Sequence, residues 1–383
     1  MKETTYKIKT YKKDSIIYLE KTKALPYLFI IKSGKVHRTI NFLESDETET
    51  LSEGDNFGFV NCLTGANNFE RITALTDCEV ILIDKKCIIP FLSQKKEIFI
   101  KIIKDYSNRL RNLDSMYNQL LSISQKKSSI NLILQAVDFF EKSNDIEKMN
   151  YSYNIYANES NNLNAFSNKK YKKVQLQKFN ASDKIKLKKD QIVFLEGESG
   201  DYFFYIEKGK IKISHYLTDK EIIMSILGEG EFFGEMALLN EKSRMASATV
   251  FEDCQLLVLD QKTFMDKLGD AILQKIFLSL AYRFYHTYRR VINLSYKNPL
   301  ARMYDCLDYL IDIKNGIQRE DSFHFYFSID EIKRMTDTIG VDNKHLSDFL
   351  NDDNIRFSPG EMVIININKF YAKLRKFTGR SKE

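Results

Sequence analysis

Residues 232–250 read F-F-G-E-M-A-L-L-N-E-K-S-R-M-A-S-A-T-V, and this stretch decides how the rest of the chain is interpreted. Gly234 permits close approach of the backbone to an oxyanion, and the N–H groups of a short helical turn after it point toward negative charge. Glu235 can accept hydrogen bonds from hydroxyl groups, and Arg244 can donate charge-assisted hydrogen bonds to a phosphate. The stretch therefore predicts a binding site for one small, anionic, hydroxyl-bearing ligand.

The same stretch resembles the phosphate-binding cassette of cyclic nucleotide-binding domains, in which F-G-E-x-A-L precedes an arginine and small residues. The resemblance implies that Glu235 holds the ribose hydroxyl and Arg244 the cyclic phosphate, while the backbone amides of residues 234–237 complete the anion hole. A hydroxyl after the arginine often accompanies guanine preference in this family, so Met245 favours cyclic AMP as the ligand. The full predicted ligand site is Gly234, Glu235, Met236, Ala237, Arg244, Met245 and Ala246.

Two parts of the chain repeat one order of short β-rich segments and glycine-containing turns. Residues 29–36, FIIKSGKV, match residues 204–211, FYIEKGKI, and the segments around both follow the same sequence of turns. Closely spaced short strands of this kind are typical of a small barrel or roll. The repeat predicts two copies of one β-roll, or jelly-roll-like, domain in tandem.

The first copy differs from the second at the two charged positions of the cassette. Aligned on the shared Phe-Gly, Phe59 replaces Glu235, and aligned on the shared Asp-Cys, Asn68 replaces Arg244. Phenylalanine cannot accept a hydrogen bond from a ribose, and asparagine carries no charge for a phosphate. Arg71 remains an alternative source of that charge. We expect the first copy to keep the fold without a ligand and the second copy to bind one.

Each copy is followed by a long amphipathic pattern, with apolar residues recurring between 99 and 120 and between 273 and 294. Spacings of four and three over about three heptads can form a seam between paired helices. In the family that the cassette resembles, this helix usually forms the dimer. We therefore expect a homodimer or an intramolecular pseudo-dimer of the two helices, the alternative being that each packs on its own barrel. Candidates to cover the ligand's base are Tyr282, Phe284 and Tyr285.

Residues 126–178 separate the two copies. They begin with one amphipathic segment, 129–142, and continue with seven asparagines between 150 and 168. Asparagine with interspersed serine and tyrosine supplies little apolar surface for a core. This composition predicts a helix followed by a solvated linker.

The C-terminal residues 298–383 resemble the winged helix-turn-helix of the catabolite-activator family of bacterial regulators. A proline-initiated helix at 299–316 precedes a helix capped by Ser328, a turn at Gly340 and a hairpin-like run at 355–367. The resemblance implies DNA binding by a recognition helix that begins after the turn. The candidate base contacts there are Asn343, Lys344 and His345.

The charge of this tail favours an alternative. The chain carries a net charge of +6, yet residues 299–383 hold 13 Lys/Arg against 14 Asp/Glu. Neutralising phosphates requires positive charge, so this segment supplies little affinity for DNA. A degenerate winged helix that binds a protein partner is the competing interpretation.

Other features limit the function classes. The five histidines are scattered without metal-ligand spacing, and no nucleophile or nucleotide-loop motif accompanies them, so we expect neither an enzyme nor a metal site. Five cysteines without a C-x-x-C pair, and no leader-like or membrane-spanning stretch, favour a cytoplasmic protein that does not use a membrane. The predicted fold is α+β and multidomain. Its parts are residues 1–125, a degenerate copy with its long helix; 126–178; 179–297, the ligand-binding copy; and 298–383, the winged helix.

Overall fold

A computed structural model describes residues 6–42, 46–120, 129–160, 171–173, 175, 177–216, 221–235, 243–260, 270–312, 316–358 and 361–379. The described residues form two compact units. The first unit lies within residues 1–88, 112–123 and 281–383, and the second within 89–111 and 124–280.

The first β-rich copy consists of two antiparallel four-stranded sheets, β1-β8-β3-β6 and β2-β7-β4-β5. Buried and partly exposed residues alternate along its strands, as in β7, where the inward positions are Glu70, Ile72 and Ala74. The inward apolar residues of both sheets form one core, with Phe29 and Phe57 stacked at 4.9 Å. The strands are β1 Tyr6–Tyr11, β2 Ile16–Tyr18, β3 Tyr27–Ser33, β4 Val36–Asn41, β5 Asp46–Leu51, β6 Asn56–Phe57, β7 Glu70–Ala74 and β8 Cys78–Asp84, with helix α1 Phe59–Thr64 between β6 and β7.

The second copy forms a six-stranded antiparallel sheet that is organised around two long strands, which bend at register shifts. It repeats local contacts of the first copy. Lys12 Nζ lies 2.8 Å from Asp77, and Lys188 Nζ lies 2.7 Å from Asp253, so the two copies correspond at these positions with an offset of 176 residues. The offset is 175 for the matching segments 29–36 and 204–211, because the second copy is one residue shorter before them. The strands are β9 Lys184–Leu187, β10 Ile192–Phe194, β11 Phe203–Tyr216, β12 Glu221–Leu227, β13 Phe232–Phe233 and β14 Ser247–Leu259.

A long helix follows each copy, in agreement with the periodic patterns. After α2, Ile88–Gln94, the first is α3, Lys96–Leu120, and the second is α6, Asp270–Ser295. The two helices contact each other inside each unit. Phe99 meets Phe277 at 5.0 Å within the second unit, and the Arg290 guanidinium lies 4.3 Å from the ring centre of Tyr117 within the first.

The predicted solvated linker is wrong for residues 146–159. They form helix α5, Ile146–Glu159, which packs with α4, Ser129–Lys142, against the second copy. Asn150 and Asn154 of this helix are buried, and the backbone of Lys172 satisfies both: Lys172 N donates to Asn150 Oδ1 at 2.7 Å, and Asn154 Nδ2 donates to Lys172 O at 3.2 Å. Residues 161–170 of the predicted linker lie outside the described part of the chain.

The C-terminal part contains a four-stranded antiparallel sheet, β15-β16-β18-β17, surrounded by helices. Ser328 caps its helix as predicted, in a reciprocal capping box with Glu331. A buried apolar core joins the sheet and the helices. The elements are α7 Pro299–Asp312, β15 Ile317–Arg319, β16 Ser322–Phe325, α8 Ile329–Met335, α9 Ser347–Leu350, β17 Ile355–Ser358, β18 Glu361–Ile364 and α10 Ile367–Thr378.

The recognition helix predicted after Gly340 is wrong in extent. Only Ser347–Leu350 is α-helical. The preceding residues form successive i to i+3 turns, in which His345 N donates to Asp342 O and Leu346 N to Asn343 O. Asp, Asn and His are poor helix formers, and Asp342 turns its carboxylate to the Lys344 N–H at 3.0 Å, so the local chemistry favours turns.

Candidate functional site

The backbone of Arg244 is fastened to the turn at residues 195–198 of the second copy. Arg244 N donates to Glu198 O at 2.8 Å, and Gly197 N donates to Arg244 O at 2.9 Å. The Glu198 carboxylate closes the turn by accepting from Leu195 N at 2.9 Å. Arg244 is therefore held in place even though residues 236–242, which precede it, lie outside the described part of the chain.

The Arg244 side chain is buried, with only 5% exposed. Its Nη1 donates to Gly234 O at 2.7 Å, its Nη2 donates to Tyr202 O at 2.6 Å, and the guanidinium lies 4.1 Å from the centre of the Phe194 ring. Within the described ranges, no carboxylate oxygen comes within 4.0 Å of the guanidinium, and Nε makes no hydrogen bond. A buried cation whose hydrogen bonds go to carbonyl oxygens, and which has no carboxylate of the described residues in direct contact, has electrostatic capacity left for an anion.

The pKa of Arg244 reflects this environment. Burial lowers it to about 10, while the negative charges of Glu198, Glu235 and Asp201 act in the opposite direction. At neutral pH the guanidinium therefore remains charged. The site combines a retained positive charge with a low-dielectric surrounding, in which charge–charge interactions are stronger than in water.

Gly234 makes the approach of Arg244 possible. Its φ is +81°, and a Cβ added there would lie 2.7 Å from Arg244 Nη1 and 3.2 Å from the Phe194 ring. Both the left-handed backbone and the space therefore require glycine. Glu235, the next residue, is only 7% exposed and lies close enough to Arg244 to affect its pKa.

The structure thus brings together the three predicted residues that carry the chemistry, Gly234, Glu235 and Arg244. Met245 and Ala246 follow the arginine and are partly exposed. Met236 and Ala237 lie outside the described residues, so the predicted anion hole from their amides stays a prediction.

Several site residues were not predicted from the sequence. Phe194 and Tyr202 contact the guanidinium, and Glu198 lies beside it. Burial raises the pKa of Glu198 to about 7, although Arg244 and the Leu195 N–H lower it. The segment E-G-E-S-G-D at 196–201 was a signal for this turn, because its glycines and acidic residues separate two strands.

Helix α5 supports this turn from outside the sheet. Glu159 accepts hydrogen bonds from Ser199 N at 3.1 Å and from Ser199 Oγ at 2.8 Å. Tyr151 of this helix is partly buried, and burial together with the charge of Glu198 raises the pKa of its hydroxyl. The segment between the two copies is therefore part of the site's support.

Two of the three base-cap candidates, Phe284 and Tyr285, make contacts within the first unit, and their role as a cap stays a prediction. Phe284 is buried against Phe69 of the first copy at 5.5 Å, and the Tyr285 hydroxyl donates to Asp312 at 3.2 Å, so both belong to contacts of the first unit. Tyr282 is 42% exposed and stacks on His286 at 6.0 Å. Its role as a cap stays a prediction.

The cassette positions of the first copy are filled by packing and local hydrogen bonds. Phe59 is fully buried in the core. Asn68 is buried too, and its Nδ2 donates to Thr22 Oγ1 at 3.0 Å. These contacts are structural, and the absence of a ligand from the first copy stays a prediction.

The candidate DNA contacts are all exposed, and they lie in the turns before α9. The Asn343 side chain accepts from Lys333 Nζ at 3.1 Å, which ties this turn to α8. Elsewhere in the described ranges, no group of three metal-binding side chains was found, and no helix is both long and apolar enough to span a membrane. All five cysteines are free, and four are buried, including the matching pair Cys78 and Cys254.

Comparison with known proteins identifies both copies. The family profile of the cyclic nucleotide-binding domain matches residues 8–95 and 184–270, so the predicted tandem copies are confirmed. Over 74 residues the chain is 36% identical to a cyclic AMP receptor protein of Thermus thermophilus, which covers 19% of this chain and 34% of that protein. A cAMP-activated global transcriptional regulator of Haemophilus influenzae is 26% identical over 177 residues, or 44% of this chain and 77% of that protein.

A relative of another kind matches at a similar identity over a similar number of residues. A cAMP-dependent protein kinase regulatory subunit of Eremothecium gossypii is 37% identical over 76 residues, which is 20% of this chain and 16% of that protein. The chain thus carries two matches to the cyclic nucleotide-binding domain, and the proteins it is similar to include transcription regulators and a kinase regulatory subunit.

Proposed function

We propose that the second copy binds one cyclic nucleotide per chain, with cyclic AMP favoured, and that this binding is the input signal. The observation that carries the proposal is the buried Arg244 guanidinium, which no carboxylate of the described residues neutralises within 4.0 Å. A cyclic phosphate supplies one negative charge and hydrogen-bond acceptors at that position. Glu235, next to the glycine turn, then accepts from the ribose hydroxyl.

The proposal assigns the output to the C-terminal part. Arg289 of α6 donates to Asp308 at 3.2 Å and to Asp312 at 2.6 Å, both on α7, so a shift of α6 moves the first helix of the tail. Ligand binding would then change the population of two arrangements of α6 and α7. In this role the chain is a cyclic nucleotide-dependent transcription regulator, acting as a homodimer or as the intramolecular pseudo-dimer that the α3–α6 contacts favour.

The second candidate output is a protein partner without DNA. The short α9, the net charge of residues 299–383 and the similarity to a kinase regulatory subunit all favour it. DNA recognition needs positive charge along a groove-binding element, which this tail provides weakly.

Calorimetric titration with cyclic AMP, cyclic GMP and a cyclic dinucleotide tests the input. We expect one site per chain for cyclic AMP and a loss of roughly 2–5 kcal/mol of binding free energy in Arg244→Ala, as when one partner of a buried charge pair is removed. Lys210→Ala is a matched control, because it removes a positive charge from an exposed ion pair of the same copy. Unchanged affinity in Arg244→Ala would remove the site assignment.

A mobility-shift assay on genomic fragments at two salt concentrations tests the output. A ligand-dependent shift that weakens with salt supports the transcription regulator. Absence of a shift with and without cyclic AMP, together with intact nucleotide binding, assigns the output to a protein partner.

A further inference from the structure

The two copies place opposite charges beside the glycine that follows the Phe of the cassette, which is Gly58 in the first copy and Gly234 in the second. In both copies a short strand pairs with the strand after the cassette and shifts register one residue before its last position, between Ile16 and Tyr18 and between Ile192 and Phe194. The offset of 176 residues then defines three matching pairs. They are Tyr18 with Phe194, Gly58 with Gly234, and Glu70 with Ala246.

In the second copy, a cation lies between Phe194 and Gly234. The Arg244 guanidinium lies on the Phe194 ring and donates to the carbonyl of Gly234. The residue that matches Glu70 is Ala246, whose methyl side chain carries no charge and no hydrogen-bonding atom. The second copy therefore presents positive charge and open capacity for an anion.

In the first copy the same surroundings hold an anion that belongs to the chain. Glu70 is 1% exposed, and its Oε1 accepts a hydrogen bond from Tyr18 OH at 2.6 Å and from Gly58 N at 3.2 Å. The backbone N–H that opens the glycine turn is thus already engaged by a carboxylate. An anionic ligand would meet both the side chain and its negative charge.

The helix side of the first copy is closed as well. Phe69, beside Glu70, packs on Phe284 at 5.5 Å and on Tyr288 at 4.8 Å, and Phe42 meets Tyr288 at 5.9 Å. The first copy thus keeps aromatic residues of α6 in direct contact with Phe69, the residue before β7, and with Phe42, the residue after β4.

We propose that Glu70 is a built-in substitute for the ligand's anion, which keeps the first copy closed and independent of ligand. The carboxylate occupies the glycine turn, and its charge excludes external anions. This proposal extends the proposed function, since it explains why one copy senses and the other does not.

Chemical rescue by acetate tests whether the Glu70 carboxylate fills an anion site in the first copy, and it does not involve the second copy. Glu70→Ala leaves Tyr18 OH and Gly58 N without their shared acceptor, so we expect the melting temperature to fall by roughly 5–10 °C. Acetate should recover at least half of that loss, whereas sodium chloride at equal ionic strength should not. Glu79→Ala is the matched control, because it removes a carboxylate from an exposed ion pair of the same copy. A melting temperature that is unchanged in Glu70→Ala, or that acetate and chloride restore equally, overturns the proposal.

Titration with cyclic AMP tests whether Glu70 excludes anionic ligands from the first copy. In an Arg244→Ala background, adding Asn68→Arg alone should give no binding, because Glu70 pairs with the new arginine. Adding Asn68→Arg together with Glu70→Ala should give measurable binding at the first copy. Equal binding by the two variants overturns the proposal, and so does a folded variant carrying both changes that binds nothing. Failure here leaves the second copy's own titration with the parent chain unaffected, so the two claims are judged separately.

Discussion

Replacing Arg289 by leucine should destabilise the first unit more than any single surface change. The guanidinium is 6% exposed and faces three carboxylates of α7, from Asp305 at 3.4 Å, Asp308 at 3.2 Å and Asp312 at 2.6 Å. Asp305 is fully buried. Removing the arginine therefore leaves uncompensated negative charge in the interior, which costs about 3–5 kcal/mol.

The assay is urea unfolding followed by far-ultraviolet circular dichroism, which reports helix loss in a chain that has no tryptophan. Arg334→Ala is the control, because it removes the same charge from an exposed position on α8, and we expect a change of less than about 1 kcal/mol. Adding Asp305→Asn to Arg289→Leu should recover part of the loss, since it removes one of the negative charges that Arg289 offsets.

The pH dependence of this effect follows from the pKa of Arg289, which the surrounding carboxylates raise despite burial. A base whose pKa is raised in the folded state stabilises fully below its unfolded pKa, so the contribution should be constant from pH 6 to 9. Equal unfolding midpoints for Arg289→Leu and the parent would show that the aspartates are solvated, and the reasoning would fail.

Three other predictions address the site and the tail. Gly234→Ala should weaken cyclic AMP binding at least tenfold in calorimetry, because its Cβ would displace the guanidinium of Arg244; unchanged affinity would contradict the tight approach. Cyclic AMP affinity should rise as pH falls from 8 to 6, because protonation of Glu198, whose pKa burial raises to about 7, removes a negative charge beside Arg244 while the phosphate diester stays ionised. Glu198→Gln should abolish that slope, and a slope that persists would assign it to another group. Ser328→Ala should cost about 1 kcal/mol in urea unfolding by removing the capping box with Glu331, and no loss would mean that the cap is replaced by water.

The sequence predicted the copies and the central site because both depend on local patterns. Alternating apolar positions specify the strands, and the glycine, glutamate and arginine lie close together in the second copy, so their meeting required no knowledge of distant contacts. The internal repeat also showed where the first copy had lost its charges.

Contacts between distant segments escaped prediction. Composition indicated solvent around Asn150 and Asn154, but the backbone of Lys172 satisfies both side chains and allows their burial. Similarly, the order of the sequence suggests that the aromatic residues of α6 pack on the second copy, which precedes them. Phe284 packs on Phe69 instead, which periodicity along one helix cannot reveal.

The predicted recognition helix is shorter in the structure for a local reason that the sequence contains. Asp342, Asn343 and His345 all have low helix propensity, and the aspartate can bond to the backbone two residues on. Exposed residues in turns are also free to diverge, because no core packing constrains them.

The pairing of α3 and α6 inside one chain has a consequence for how the protein responds to its own abundance. In a regulator whose long helices come from separate chains, dilution separates them and every substitution appears on both sides. Here the contacts of Phe99 with Phe277 and of Tyr117 with Arg290 are intramolecular, so dilution does not weaken them. Each half can also mutate alone, because a substitution in one helix is not repeated in its partner.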